Sequence, residues 1–273
     1  MKRAQIHYVL LCYYPDYLED ALAFFCRFKQ WMPGVKLLIV DNSPDLAMAK
    51  ARPALPILKG DNSKGEFSGW QVGIDSIRTQ ASIQNGDLFI FANDTASRLR
   101  RLTRIDDWLF QRSFRQCLRS DGIAGEVNSS LEPMVLPRGE LQSWVSTYFF
   151  ALSGKYLNAT GGQLIPADVP YPAALDVKDK KIVFDFFIDS TLAGHINEWL
   201  FPREGRKGWY KTHSSSAQQL VFKANMIYLE KSLSLAVCNQ GGKIHPTYGH
   251  KLAMRYKRKM ERAYEREKRK SHS

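Results

Sequence analysis

In the first half of the chain, short apolar runs alternate with segments whose apolar residues recur at helical spacing. This alternation restricts the possible fold classes more than any other feature of the sequence. The first run covers residues 6–13 and stops at a Pro-Asp turn, and the second, 36–40, stops at Asp41-Asn42-Ser43. Shorter runs follow at 57–58 and 87–92. Apolar runs bounded by turn residues are typical of buried parallel strands, which need helices to connect them. The pattern predicts an α/β fold with a mostly parallel central sheet flanked by helices.

The segments between and after these runs indicate the remaining elements. With 273 residues and 44% hydrophobic content, the chain can bury one large core. Residues 122–127 form a fifth apolar run, and past residue 128 the chain becomes aromatic and rich in turn residues, without an internal repeat. We expect helices at 20–31, 68–79, 105–118 and 184–199, and an aromatic strand at 144–152.

Positive charge is concentrated at the C-terminus. The formal net charge is +12, and residues 251–273 hold ten Lys or Arg against three Glu, an excess of seven. Leu252, Tyr256, Met260 and Tyr264 recur there at near-helical spacing, which predicts a basic amphipathic C-terminal helix. Such a tail fits a solvated helix, a contact with an anionic membrane surface, or a nucleic-acid arm. The body of the chain lacks a helix-turn-helix pattern and zinc spacing, so we expect no nucleic-acid partner.

The cysteines and the absence of a long apolar stretch indicate in which cellular compartment the protein is expected. Cys12, Cys26, Cys117 and Cys238 lie in apolar or strand-like stretches without a Cys-x-x-Cys pair, and we interpret them as reduced, buried thiols. No stretch approaches the roughly 20 apolar residues of a membrane span. The first apolar run is followed by Tyr-Tyr-Pro-Asp in place of the cleavage site of a signal peptide. These features predict a cytoplasmic protein, at most peripheral at the inner face of the cytoplasmic membrane.

Polar residues at two strand ends are the strongest functional signal. Asp41 follows the second run, Asp94 follows the fourth, and a glycine-rich segment, 65–74, lies between them. Ligands of such sheets bind beyond the carboxyl ends of the strands, so we expect both carboxylates in one crevice. Asp41 can accept the imide N–H of a uracil or thymine ring, and Asp94 can hold Mg²⁺ or Mn²⁺. The glycine turn lets backbone N–H groups approach phosphate. Alternatively, each aspartate only caps the helix or turn that follows it.

The order of these motifs resembles family 2 glycosyltransferases and related GT-A enzymes of bacterial surface-polysaccharide synthesis. The resemblance rests on Val40-Asp41-Asn42-Ser43, on Phe67-Ser68-Gly69 within the glycine-rich segment, and on Asn93-Asp94-Thr95, and it covers residues 6–127. It implies a GT-A-type single domain followed by the basic C-terminal helix. We expect the domain to divide into a nucleotide-sugar half and an acceptor half (1–127 and 128–250, with the tail at 251–273).

The resemblance also implies roles for residues on the donor side. Asp94 stands where the family has the last acidic residue of its Asp-x-Asp metal motif, and Ala92 replaces the first. His245 is a further candidate metal ligand, since downstream histidines serve in this way in some GT-A enzymes. The expected cofactor is Mg²⁺ or Mn²⁺. Candidate contacts to the nucleotide sugar are Tyr14, Asp41, Asn42, Asn62, Gly65 and Asn93.

The second half of the chain should supply the acceptor contacts and the base. An inverting transfer needs a carboxylate that removes the proton of the acceptor hydroxyl. Glu198 stands about where the resembling enzymes have their acidic base, and Asp189 and Asp185 are further candidates; a solvated helix carboxylate is the alternative for Glu198. Trp144 and Thr147 lie in a segment that resembles the acceptor side of these enzymes, where a ring stacks on a sugar. A Trp in a strand is also a usual core residue.

The leading hypothesis from the sequence is a glycosyltransferase that moves a sugar from a UDP- or dTDP-linked donor to a growing surface glycan, free or lipid-linked. Two alternatives stay open. One is a nucleic-acid-binding protein that uses the basic tail. The other is a catalytically silent GT-A-type binding module, suggested by Ala92 in the metal motif.

Overall fold

The computed structural model describes residues 4–100, 102–203, 208–209 and 211–270, with a seven-stranded sheet at the centre. Among these residues the strands are β1 (Ile6–Cys12), β2 (Val35–Asp41), β3 (Ile57–Lys59), β4 (Leu88–Asn93), β5 (Gly122–Leu136), β6 (Gly139–Ser153), β7 (Ala174–Lys178), β8 (Lys181–Phe184) and β9 (Lys243–Pro246). The α-helices are α1 (Leu18–Lys29), α2 (Ala47–Ala51), α3 (Gly65–Gln80), α4 (Thr95–Leu99), α5 (Arg104–Ser120), α6 (Gly154–Ala159), α7 (Ser190–Leu200), α8 (Ala217–Asn239) and α9 (Lys251–Lys270).

The strand order of the central sheet is β3-β2-β1-β4-β6-β5-β9. Strand β6 runs antiparallel to both of its neighbours, and the other pairings are parallel. Strands β7 and β8 form a separate hairpin. The predicted α/β class, with a mostly parallel sheet flanked by helices and a basic C-terminal helix, is confirmed. The arrangement is consistent with a GT-A-type fold.

Alternate residues of β1 enter two different cores, one on each face of the sheet. Tyr8 and Leu10 pack with α1 and α5, whereas Val9 and Leu11 pack with α3 and α8. All four side chains are at most 2% exposed. Because both faces of the strand are covered, its sequence is continuously apolar rather than alternating.

The elements predicted between residues 6 and 120 are all confirmed, with ends that differ by at most three residues. The prediction at 184–199 is wrong in its first part. Residue 184 still belongs to β8, and α7 begins only at Ser190, after the cap residue Asp189. Strand β5 continues past residue 127, so the two expected halves share one sheet. Their separate roles stay a prediction.

Helix α8 has no counterpart among the sequence predictions. It begins at a capping box in which Ser216 and Gln219 satisfy each other's backbone N–H groups. Its buried residues include Leu220, Tyr228 and Leu233 and extend to nearly every side of the helix. A helix buried all round shows no single apolar stripe, and therefore no helical period in the sequence.

The structure also tests the predictions about the cysteines and about membrane spans. Cys12 and Cys117 are buried and Cys238 is half-buried, but Cys26 is exposed, so the prediction of four buried thiols is wrong at Cys26. Within the described residues, no helix combines the length and apolar character that crossing a bilayer requires.

Candidate functional site

The ends of β1 and β4 meet at the carboxyl edge of the sheet. The two strands pair in parallel with Leu11 opposite Asn93, so the residues that follow emerge side by side. Asp94 Oδ2 accepts hydrogen bonds from the backbone N–H groups of Tyr13 and Tyr14, each at 2.7 Å. The aspartate is 1% exposed. The carboxylate expected at the metal motif therefore also holds the turn that follows β1.

Burial raises the pKa of the Asp94 carboxyl to about 6, and the nearby charge of Glu66 adds to the rise. The backbone N–H groups of Tyr13 and Tyr14 oppose the shift because they stabilise the anion. Asp94 is thus mostly ionised at neutral pH, in surroundings that favour a further cation or hydrogen-bond donor.

Glu66 reaches the same edge from the first turn of α3. Asn93 donates through Nδ2 to Glu66 Oε1 at 2.7 Å, and Asn93 Oδ1 accepts from the hydroxyl of Thr95 at 2.7 Å. Burial raises the pKa of Glu66, while the ammonium of Lys223 on α8 opposes that rise. Glu66 therefore places a second carboxylate close to Asp94.

Thr147 and Glu230 lie beside this edge and are joined to each other. Strands β4 and β6 pair with Ala92 opposite Phe149, which puts Thr147 at the level of Asp94. The backbone N–H and the hydroxyl of Thr147 both donate to Glu230 Oε2, at 2.9 and 3.0 Å. Glu230 is half-buried on α8. A third carboxylate thus lies opposite the end of β4.

The turn before α3 is held by an asparagine at the end of β2. Asn42 Nδ2 donates to Asn62 Oδ1 at 3.0 Å and to the carbonyl of Gly65 at 2.9 Å, and the N–H of Asn62 donates to Asn42 Oδ1 at 3.1 Å. Gly65 has a φ of +54°, and a Cβ at that position would lie 2.4 Å from Met226 Sδ. The structure thus brings three predicted donor-site residues together, and Gly65 among them packs against α8.

Asp41 is fully enclosed by the loop that follows β2. Its Oδ1 accepts from the backbone N–H of Ser43 at 2.9 Å and from the Ser43 hydroxyl at 2.5 Å, and its Oδ2 accepts from the N–H of Ala49 at 2.9 Å. The side chain is 0% exposed. This is the capping role considered as the alternative, and contact between the carboxylate and a base requires the loop to open.

Tyr14, after β1, lies next to a lysine from the second half of the chain. Lys211 Nζ donates to Tyr14 Oη at 2.8 Å and lies 5.1 Å from the centroid of its ring. The backbone N–H of the same tyrosine binds Asp94. Tyr14 therefore connects the ammonium group of Lys211 to the buried carboxylate of Asp94.

Trp144 lies in the core between α7 and α8. Its ring packs edge-on against His195 at 5.1 Å between centroids, and the ammonium of Lys231 lies 4.2 Å from its centroid. Trp144 is 6% exposed and Lys231 is 1% exposed. Burial lowers the pKa of Lys231 to about 8. The position agrees with the core interpretation of Trp144 weighed from the sequence.

The structure moves the predicted base Asp189 away from this edge. Asp189 is the N-cap of α7, where its Oδ1 accepts from the N–H and the hydroxyl of Thr191 at 2.7 Å each, and these bonds lower its pKa. The Thr191 hydroxyl in turn accepts from the N–H of Val135. Val135 pairs with Glu140, seven residues along β6 from Thr147, a separation of about 23 Å at 3.3 Å per residue. Asp189 is a capping residue.

Glu198 and Asp185, the other predicted bases, lie on α7 and in the turn before it. Glu198 is exposed on α7. In the part of the chain that the structure describes, no hydrogen bond or ion pair joins it to Asp94 or Asn93. Asp185 lies in the turn between β8 and α7 and donates its backbone N–H to the carbonyl of Ala173.

The structure does not bring His245, the second predicted metal ligand, to Asp94. It pairs with Ala124 on the edge strand β9, three strands away from β4, or about 14 Å at 4.8 Å per strand. Its Nε2 lies 3.0 Å from the carbonyl oxygen of Asp121 and 3.3 Å from Ser120 Oγ. These contacts tie it to the beginning of β5.

Asp94 and Glu66 are neighbouring carboxylates at the carboxyl edge that could bind a divalent cation, whereas Ala92 offers no ligand. Within the described ranges, no cluster of three or more His, Cys, Asp or Glu side chains could hold an ion by itself. Mg²⁺ is commonly bound by one or two carboxylates together with substrate phosphates. The donor set therefore fits Mg²⁺ or Mn²⁺ when a diphosphate completes the coordination.

Besides Glu66, four charged residues near the site are missing from the sequence predictions. They share an origin in the second half of the chain, and three of them lie on the unpredicted helix α8: Lys211, Lys223, Glu230 and Lys231. A charged pair inside a mostly apolar stretch, 224–237, was the signal that could have marked Glu230 and Lys231.

No protein-family model matches the sequence, and no curated protein matches it. Among solved structures, the chain is similar to a 4-diphosphocytidyl-2C-methyl-D-erythritol synthase, with 11% identity and a TM-score of 0.41 over 59% of this chain and 79% of that one. It is also similar to the mannosyltransferase PcManGT from Pyrobaculum calidifontis in complex with GDP-Man and Mn²⁺, with 11% identity and a TM-score of 0.39 over 94% of this chain and 79% of that one. At such low identities and TM-scores, neither similarity bears on the function.

Proposed function

We propose that the chain is a glycosyltransferase that moves a sugar from a nucleoside-diphosphate donor to a hydroxyl group of a glycan acceptor. One observation carries the proposal. Asp94, at the end of the donor-side strand β4, lies level with Thr147, whose N–H and hydroxyl hold the carboxylate of Glu230. Carboxylates on both sides of one crevice can serve the two demands of transfer, which are charge stabilisation on the donor and proton removal from the acceptor.

The donor diphosphate is proposed to lie between the turn at 62–65 and the end of β1. The N-terminus of α3 is the positive end of the helix dipole, which favours an anion in this space. Lys211 contacts Tyr14 at one side, and Lys223 is near enough to Glu66 to oppose the rise of its pKa. Asp94 and Glu66 would hold Mg²⁺ or Mn²⁺, whose charge stabilises the departing diphosphate when the ion is bound.

Glu230 is the base that we propose in place of Glu198 and Asp189. Both hydrogen bonds from Thr147 go to Oε2, which orients the carboxylate. Oε1 accepts the proton of the acceptor hydroxyl while that oxygen attacks the anomeric carbon and the bond to the diphosphate breaks. Attack from the face opposite the diphosphate inverts the configuration.

The most specific part of the proposal is the identity of the nucleotide and of the acceptor. UDP or dTDP as the nucleotide, and a surface glycan as the acceptor, rest on the resemblance carried by Asp41-Asn42-Ser43 and Asn93-Asp94-Thr95. A lipid-linked acceptor would be met at the inner face of the cytoplasmic membrane.

The proposal is tested by the thermal stability of the protein with UDP, dTDP, GDP and CDP, each with Mn²⁺ or with a chelator. A ligand that binds only the folded state stabilises it by about 2.7 kcal/mol at 100 times its Kd. We expect at least one nucleotide to raise the Tm, more strongly with Mn²⁺. The Asp94→Asn variant should lose the part of the Tm increase that depends on Mn²⁺. The control variant Asp75→Asn, at a 53% exposed side chain on α3, should keep it. If no nucleotide raises the Tm under either condition, the proposal is wrong.

A catalytically silent binding module is the second candidate function. It is favoured by Ala92, which is 1% exposed in β4 and offers no ligand at the first position of the metal motif. Incubation with the stabilising nucleotide sugar separates the two candidates, because an enzyme slowly releases the nucleoside diphosphate to water or to an acceptor and a module does not.

A further inference from the structure

Helix α9 is docked on the body of the protein by its first two turns and by Tyr248, which precedes it. Tyr248 Oη and Tyr256 Oη donate to the two carboxylate oxygens of Asp106 at 2.7 and 3.0 Å. Lys257 Nζ donates to Glu126 Oε1 at 2.6 Å, and Ala253 packs in one small core with Leu109 of α5. Helices α5 and α9 are therefore neighbours held by buried polar contacts.

Beyond Lys257 the helix leaves the body. From Arg258 onward, the side chains that the structure describes are all exposed. Met260 and Tyr264 are each 38% exposed, among basic residues at 258, 259, 262 and 266. This half of α9 is a projecting, strongly positive arm.

The outer face of α5 combines basic and large apolar side chains. Ile105 is 53% exposed and Trp108 is 43% exposed, one turn apart, and the guanidinium of Arg112 lies 5.9 Å from the centroid of the Trp108 ring. The acidic residues of the first turn, Asp106 and Asp107, are buried instead. The exposed charges of this helix are all positive, at Arg104, Arg112, Arg115 and Arg119.

Exposed apolar side chains of α9 flank its contact with α5. Leu252 is 65% exposed and Met254 is 39% exposed, on either side of the buried Ala253. Apolar groups and positive charges therefore lie on both helices next to their contact. Monomeric proteins seldom collect large apolar side chains in this way without a partner.

We propose that the outer faces of α5 and α9 form one docking surface for an anionic lipid bilayer. Arginine and lysine are attracted to anionic headgroups, and Trp, Ile and Leu can enter the boundary between headgroups and acyl chains. Nucleic acid would satisfy the same positive charges. However, binding to its phosphate backbone does not require Ile105, Trp108 or Leu252. The apolar residues therefore favour lipid, and the proposal is independent of the reaction proposed above.

Sedimentation of the full chain with vesicles tests this surface. The probes are phosphatidylcholine vesicles and phosphatidylcholine vesicles with about a third phosphatidylglycerol, at about 0.1 M salt. We expect binding only to the anionic vesicles. The double variant Trp108→Ala/Leu252→Ser should bind at least tenfold more weakly. Leu131→Ser, at a 99% exposed leucine of β5 that belongs to neither helix, should bind as the unaltered chain does.

Three results would overturn the proposal. The first is an absence of binding to anionic vesicles by a chain whose circular dichroism is that of a folded protein. The second is unchanged binding by the double variant, which would reduce the interaction to charge alone. The third is binding to a DNA duplex that is tighter than binding to vesicles and that the double variant leaves unchanged. This result would identify the surface as a nucleic-acid site.

Discussion

Thr147 gives both its backbone N–H and its hydroxyl to a single oxygen of Glu230, at 2.9 and 3.0 Å. The contact spans 83 residues of sequence and joins the antiparallel strand β6 to helix α8 at the level of Asp94. It fixes the direction of a half-buried carboxylate beside the end of β4. The predictions below concern this carboxylate and the buried groups around it.

Glu230→Gln is expected to lower kcat for sugar transfer by about 100-fold or more, the usual contribution of a general base. The amide still accepts the hydrogen bonds of Thr147, so nucleotide binding should change by less than about threefold. Steady-state kinetics and calorimetric titration with the nucleotide measure the two effects. Glu198→Gln is the matched control and should retain activity; the opposite ranking of the two variants would restore Glu198 as the base.

Asp94→Asn is expected to make the folded protein more stable at neutral pH while it weakens binding of the donor. The folded pKa is about 6, above the value of about 3.9 in an unfolded chain. Such a group contributes stability below about pH 4 that is lost as the pH rises through 6. The variant should therefore exceed the parent by about 1–3 kcal/mol in unfolding free energy at pH 8 and lose this advantage at pH 4. Urea unfolding at both pH values measures the difference, and an equal effect at both would contradict the assignment.

Lys231→Met should also stabilise the fold near neutral pH, for the converse reason. Burial lowers the pKa of Lys231 to about 8, against about 10.4 in an unfolded chain. The unfolded state therefore binds more protons between these values, and the cost of the buried charge is full below about pH 8 and disappears above about pH 10. We expect a gain of about 1–3 kcal/mol at pH 7, reduced by the lost contact with the Trp144 ring. Urea unfolding at pH 7 and at pH 10 tests this, and a variant less stable than its parent at pH 7 would assign Lys231 a structural role.

Gly65→Ala should destabilise the protein by more than its backbone conformation alone requires. The new Cβ would lie 2.4 Å from Met226 Sδ at a φ of +54°. At Gly161 the φ is +63°, but nothing lies within 4 Å of the added Cβ. We expect Gly161→Ala to cost about 1 kcal/mol and Gly65→Ala about 2–3 kcal/mol, because the second adds a steric clash. Equal losses of unfolding free energy in the two variants would show that α8 moves away without cost.

The sequence predicts the first half of the fold well, because each strand there is a continuous apolar run ended by turn residues. It also places Asp94 and Asn93 at the end of β4 and Asn42, Asn62 and Gly65 in one crevice, since parallel strands end at a common edge. The second half is predicted poorly. Helix α8 is buried on nearly every side, so its residues show no period that separates a helix from a strand.

What the sequence determined by itself is therefore the class of the fold and the edge at which chemistry can occur, because local apolar patterning and turn residues decide both. Only the tertiary structure decided which charges meet at that edge. Glu66, Glu230 and Lys231 come from α3 and α8, and their approach to Asp94 and Trp144 depends on how these helices pack on the sheet. His245 has a side chain that could bind a metal, and Asp189 has one that could act as a base. Both lie away from the end of β4, because His245 is on the edge strand β9 and Asp189 caps α7. Long-range packing, rather than local sequence, sets these distances.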